Sequence, residues 1–190
     1  LLLPFQSFAL DFVMTDDSLK VFQNRTESIV SFSLEDNFLI GHQATQKIKE
    51  KLGAYKLRSI KYSASTSELA IDQILKQGDW FICTGFVSGK NLERKFSLLF
   101  IEENDKVDYH ISFENPNINF IELTFSSKSE TQYFGGGEQF CFCNLKGHEI
   151  PMLVEENGIG RGDKRVTGLA KLLGVQGSEY TTYAPIPFFI

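Results

Sequence analysis

Between positions 107 and 113 the chain reads VDYHISF, with Val107, Tyr109, Ile111 and Phe113 on every second position. A strand turns successive side chains to opposite faces, so this spacing builds one apolar and one polar face; a helix cannot satisfy it. The same period recurs at 8–13 and 28–34, while 80–87 and 95–101 are runs rich in aromatic and β-branched residues. Along 117–126, Ile118 and Phe120 share one parity, then Ile121, Leu123 and Phe125 take the other. That shift of face predicts a β-bulge. Turn residues separate the runs at Gln77-Gly78-Asp79, Glu103-Asn104-Asp105-Lys106 and Asn115-Pro116-Asn117. Many short strands at this spacing predict an all-β fold, an antiparallel β-sandwich or barrel with at most one or two short helices.

Three segments are less regular. Residues 44–52 are polar and lysine-rich, and are expected to form a loop or a pair of helical turns. SELAIDQILK (67–76) resembles a capping box, yet Leu69, Ile71, Ile74 and Leu75 fit neither period. The tight turn and strand that follow favour a strand there. Residues 166–173 predict a short helix ended by Gly174.

The 190 residues are enough for one substantial core, and with no internal repeat or low-complexity linker a single domain, 1–190, is expected. Apolar content of 42% and charged content of 23% are those of a soluble globular protein. The 18 Phe, 6 Tyr and 1 Trp again favour strands. Net charge is −5 and no basic block is long enough to follow a phosphate backbone, so nucleic acid is not an expected partner. Nor is a membrane, because no apolar run approaches the roughly 20 residues a spanning helix needs. LLLPFQSFAL at the start reads equally as a first strand or as the tail of a signal segment without its basic region. Asn24-Arg25-Thr26 is a glycosylation sequon if the chain is secreted, so the compartment stays open between cytoplasmic and secreted. The chain does not begin with Met and stops at APIPFFI, an apolar run with no polar tail, so a fragment is expected.

The chemistry-bearing candidates gather late in the chain. YFGGGEQFCFCNLKG (133–147) contains Gly135, Gly136 and Gly137 followed by Glu138 and Gln139; EENGIGRG (155–162) contains Gly158, Gly160 and Arg161. Neither run is a phosphate loop, which needs G-x-x-x-x-G-K-[ST], nor a dinucleotide fingerprint, which needs a βαβ unit around it. No cofactor is expected. Cys141 and Cys143 place two thiols on one face of a strand, with His148 nearby, but a zinc site wants four ligands, so no metal is expected. His42, His110 and His148 lie far apart and have no serine or cysteine partner evident in the sequence. The paired carboxylates Asp16-Asp17, Glu102-Glu103 and Glu155-Glu156 read as solvated edges, because adjacency does not set the facing separation that acid–base chemistry needs. Glu138, Gln139 and Arg161 remain. A glycine run can bend sharply and pass close to another surface, leaving the following side chains projecting. They suit sugar hydroxyls or an ion pair, but the chemistry alone favours the pinning of one loop to another within the domain.

The stretch YFGGGEQFCFCNLKGHEIPMLVEENGIGRG (133–162) resembles the G-x-G-E-Q-F…DLRGK-P…W-T-S-E-Q-G-x-G-R pattern of glycoside hydrolase family 31, most closely its sulfoquinovosidase branch. The matching positions are Gly135, Gly137, Glu138, Gln139, Phe140, Leu145, Gly147, Pro151, Glu156, Gly158, Gly160 and Arg161. SEYTTYAPIPFFI (178–190) is similar to the Y-x-x-x-P-x-P-F strand that precedes the family's catalytic barrel, and NFLIGHQATQKIKEKLGAYKL (37–57) is similar in outline to its W-I-G-S-G segment. Asn157 stands where the family has Gln, and Leu153-Val154 where it has Trp-Thr.

The resemblance implies a galactose-mutarotase-like β-sandwich, the N-terminal module of such enzymes. It also implies a carbohydrate substrate shared with a (β/α)₈ barrel of roughly 250 further residues. Two aspartates on that barrel act in a retaining double displacement, and no residue of this chain takes either role. Glu138, Gln139 and Arg161 are then expected at the substrate pocket or the barrel interface, with Gly135, Gly136, Gly137, Gly158 and Gly160 shaping the loops. Two alternatives are a stand-alone carbohydrate-binding or interaction module, and a mutarotase-type epimerase using His110 and Glu138.

Overall fold

The computed structural model of the chain describes residues 10–23, 27–51, 54–57, 59–90, 92–103, 106–114, 117–138, 142–152, 154, 163–173, 177 and 182–190. In chain order the strands are β1 (Leu10–Met14), β2 (Ser18–Gln23), β3 (Glu27–Ser33), β4 (Leu39–Thr45), β5 (Ile48–Lys51), β6 (Ala54–Leu57), β7 (Lys61–Ser65), β8 (Glu68–Gln77), β9 (Trp80–Gly89), β10 (Leu92–Glu103), β11 (Lys106–Phe113), β12 (Phe120–Leu123) and β13 (Gly135–Gly137). A helix, α1 (Lys164–Leu173), and a last strand, β14 (Pro185–Phe189), follow. Every strand pairing among the described residues is antiparallel. The chain forms two compact units, Leu1–Thr45 with Lys61–Ser127, and Gln46–Ile60 with Lys128–Ile190.

The first unit is sandwich-like and holds three sheets, in the orders β1-β2-β3, β11-β10-β9-β8 and β12-β4-β7. Its core draws Leu10, Leu19, Val21 and Phe32 from the first sheet and Phe81, Cys83, Val87, Phe96, Leu98 and Phe100 from the second. Phe38 and Leu39 close it at the start of β4. Rings cross between the two sheets, Phe12 to Phe81 at 5.1 Å and Phe32 to Phe100 at 6.1 Å between centroids. Each phenylalanine so buried contributes about 1.5–3 kcal/mol through removal of apolar surface from water.

SELAIDQILK is the strand β8, and its mixed period has a cause. The β8–β9 register slips between Ile71 and Gln73, so Leu69, Ile71 and Ile74 all pack on the core despite their uneven spacing. The bulge expected along 117–126 is absent, since β12 pairs with β4 in unbroken register. Both faces of that segment are apolar instead. Phe120 meets the ring of His42 on one side, while Leu123 packs against the core on the other. The loop or helical turns expected at 44–52 are also corrected. Thr45 ends β4 and Ile48–Lys51 is β5, because Ile48 to Lys51 find ladder partners in Leu57 to Ala54.

In the second unit the expected helix is α1. It begins two residues before the expected start because the Asp163 carboxylate accepts from the Arg165 amide at 2.8 Å, capping the first turn.

Candidate functional site

The three glycines form β13 and lie against the terminal strand. Gly135 stands opposite Phe189 and Gly137 opposite Pro185, with a register irregularity between them. Pro185 and Pro187 bring no amide hydrogen to this ladder. The flanks carry it. Phe134 and Ile190 exchange amide-to-carbonyl bonds of 3.0 and 2.8 Å, and the Glu138 amide donates to the Ala184 carbonyl at 3.1 Å. Gly135 has φ +125° and Gly137 φ +84°. Side chains rarely adopt either, and a Cβ would collide with the carbonyl oxygens of Phe188 and Ala184 respectively. The glycines therefore let two backbones approach.

The residues before and after this pair are tied together by Asn144. Its side-chain oxygen accepts from the amides of Tyr133 and Lys146, both at 3.1 Å, and the Leu145 amide donates to the Tyr133 carbonyl at 2.8 Å. Leu145 is buried, and the Lys146 ammonium donates to the carbonyls of Lys128 and Ser129. Glu138 thus leaves a fixed backbone with its side chain exposed. Gln139, Gly158, Gly160 and Arg161 lie outside the described residues.

The strand expected at the two thiols is corrected. Phe142 and Cys143 are not in a strand and Cys143 is exposed, while Cys141 lies outside the described residues. The Phe142 ring stacks on His148 at 3.7 Å. No cluster of three His, Cys, Asp or Glu side chains suited to a metal occurs among the described residues. Of the carboxylate pairs, Asp17 is held below the usual carboxylate range by hydrogen bonds from the Thr15 and Ser18 hydroxyls. His110 is exposed on β11 in the first unit, whereas Glu138 belongs to the second.

Folding also builds a cluster that sequence reasoning missed. In the β12-β4-β7 sheet His42 faces Ser65 on one neighbour and Phe120 on the other. His42 Nδ1 lies 2.7 Å from Ser65 Oγ, and its ring packs 4.5 Å from Tyr62 and 5.6 Å from Phe120. Nε2 lies 3.1 Å from Glu122 Oε1, close enough for an ion pair but turned away from hydrogen-bond alignment. The order serine–histidine–carboxylate resembles a nucleophile relay. However, the histidine is buried between the Tyr62 and Phe120 rings. It acts as a polar rivet joining three strands. Only the register brings these residues together, so no local signal marks them.

The fold and this glycine-strand arrangement define an all-β region whose described strand pairings are all antiparallel. The particular likeness is in sequence and in structure. The chain is 31% identical over 94 residues to the sulfoquinovosidase of Escherichia coli strain K12, a match covering 47% of this chain and 14% of that enzyme. It superposes with a TM-score of 0.75 on a family 31 sulfoquinovosidase from E. rectale, solved with the aza-sugar inhibitor IFGSQ. That match covers 95% of this chain and 26% of the other at 18% identity, a likeness of fold. No family model matches the chain. The chain is thus similar to a region of family 31 sulfoquinovosidases and spans only a small part of the length of each of these enzymes.

Proposed function

We propose that this chain is the N-terminal, non-catalytic, galactose-mutarotase-like sandwich of a retaining α-glycosidase, in which it packs on a catalytic barrel and closes one wall of the substrate pocket. The carbohydrate would be an α-glucoside or a sulfoquinovoside, and the aspartate nucleophile and acid/base would come from the barrel. The observation that carries the reading is the seating of the terminal strand on the glycine strand. In the resemblance the terminal strand is the one that precedes the barrel, and here it is the hydrogen-bonded partner of the glycine strand. Tyr183, Ile186, Phe188 and Ile190 around that strand are more than half exposed, as a surface awaiting a further domain would be.

In this reading Glu138, held by its amide on Ala184, serves the pocket or interface, and Gln139 and Arg161 are assigned to the same role. The test compares aryl α-glycoside hydrolysis by the longer protein and by Leu1–Ile190 alone. Turnover is expected only from the longer protein. Turnover by the 190-residue chain, or a reading frame that stops after Ile190, would overturn the proposal and favour a stand-alone carbohydrate-binding module.

A further inference from the structure

The four-stranded sheet of the first unit has an outer face the glycosidase reading does not use. On β9 and β10, Phe81, Cys83, Phe96 and Leu98 point into the core, so their neighbours Thr84, Phe86, Lys95 and Ser97 point away from it. Thr84, Ser97 and Ser112 stand opposite one another across β9, β10 and β11. Three hydroxyl side chains are thus set in a row at about 4.8 Å per strand. Ser97 and Ser112 share a hydrogen bond of 2.6 Å. Beside the row, the Lys95 ammonium lies 3.6 Å from Glu114 Oε1, and Phe86 presents a ring that is 40% exposed. The surface is concave here. One groove of about 310 Å³ is bordered by Phe86, Glu93, Arg94, Lys95 and Glu114. Another of about 220 Å³ adjoins it through Lys95 and Glu114 and includes Thr84, Ser97 and Ser112.

We infer that this groove is a saccharide-binding site, separate from any barrel pocket, that takes a neutral hydroxyl-rich sugar. Hydroxyls that both donate and accept suit vicinal sugar hydroxyls, and the exposed Phe86 ring near the row offers an apolar sugar face something to lie against. A Lys–Glu pair supplies one donor and one acceptor side by side. The charges decide between ligand classes. Lys95 and Arg94 are balanced by Glu93 and Glu114, so a sulfonated or phosphorylated sugar would meet two carboxylates as well as two cations.

The inference rests on the carbohydrate class in the proposed function and not on the barrel, so it is tested by binding without hydrolysis. The probe is maltotriose at millimolar concentration, with hydroxyl-radical footprinting of Phe86 and calorimetric titration of the chain. Protection of Phe86 from oxidation is expected. Ser112→Ala and Thr84→Ala should each weaken binding by about two- to tenfold, the worth of one hydrogen bond. Phe86→Ala should weaken it further, and all three variants should retain the unfolding temperature of the parent within a few degrees. No protection of Phe86 by maltotriose, or tighter binding of a 6-sulfonated glucoside than of maltotriose at this groove, would overturn the inference. Loss of hydrolysis by the longer protein would leave these binding results unchanged.

Discussion

The amide of Glu138 donates to the carbonyl of Ala184 at 3.1 Å, which fixes the residue after the glycine run to the residue before the terminal strand. Sequence separation between the two is long, yet their backbones are in direct contact, and the glycines at 135 and 137 are what permit it.

Substituting one of these glycines should therefore cost more than substituting an open one. Gly137→Ala meets both a φ of +84° and a backbone carbonyl, and is expected to destabilise by about 3 kcal/mol or to uncouple β13 from β14. Gly78→Ala, in the β8–β9 turn at φ +58° with open space around it, should cost about 1–2 kcal/mol. Urea unfolding of both variants decides it; equal costs would mean that the close approach carries no energy.

The buried thiol should be chemically silent. Burial pushes Cys83 up to about 12, whereas Cys143 is exposed. Alkylation at neutral pH followed by peptide mapping is expected to label Cys143 and spare Cys83 until denaturant is added. The sign of the linkage follows from a raised folded-state value. The protonated thiol's contribution is complete below the unfolded cysteine's ordinary value and is lost as pH rises toward about 12.

The His42 rivet predicts non-additivity. Ser65→Ala leaves the buried Nδ1 facing no hydroxyl and should cost about 1–3 kcal/mol. His42→Phe in that background removes the orphaned nitrogen while keeping a ring against Tyr62 and Phe120, so the double variant should be more stable than the sum of the singles predicts. A double-mutant cycle by chemical denaturation measures the coupling, and a coupling near zero would refute the rivet.

Asp17 provides a test of local chemistry at low pH. Its carboxylate is held down first by the Thr15 hydroxyl and then by Ser18. Thr15→Val should raise the Asp17 value toward that of an ordinary aspartate in an NMR titration. A lowered folded-state value stabilises the fold above the unfolded aspartate's value, and that contribution is lost as pH falls through the folded one. The parent should therefore lose more stability than Thr15→Val as pH falls through that range, because the variant has little of this contribution to lose.

The strand content, the turn at Gly78 and the short helix at α1 were legible because each is written in local spacing: alternation, a turn triplet, an apolar run closed by a glycine. The bulge in β8 and the two-faced β12 were not. Leu69, Ile71 and Ile74 become one face only when a partner strand slips by a residue, and Phe120 and Leu123 serve opposite faces only because β4 lies between a histidine cluster and the core. The lysine-rich stretch before Leu52 became β5 for the same reason, since hydrogen-bond partners on β6 outweigh weak local preference.

For the candidate site, residue type and spacing by themselves excluded a phosphate loop at Gly135-Gly136-Gly137 and left a sharp bend or close approach of the backbone. Only the tertiary structure decided what is approached, the backbone of β14. It also decided that His42 meets Ser65 and Glu122, and that Thr84, Ser97 and Ser112 share a row. These are relations between strands far apart in the chain, set by register and burial across the whole fold, and no local window contains them.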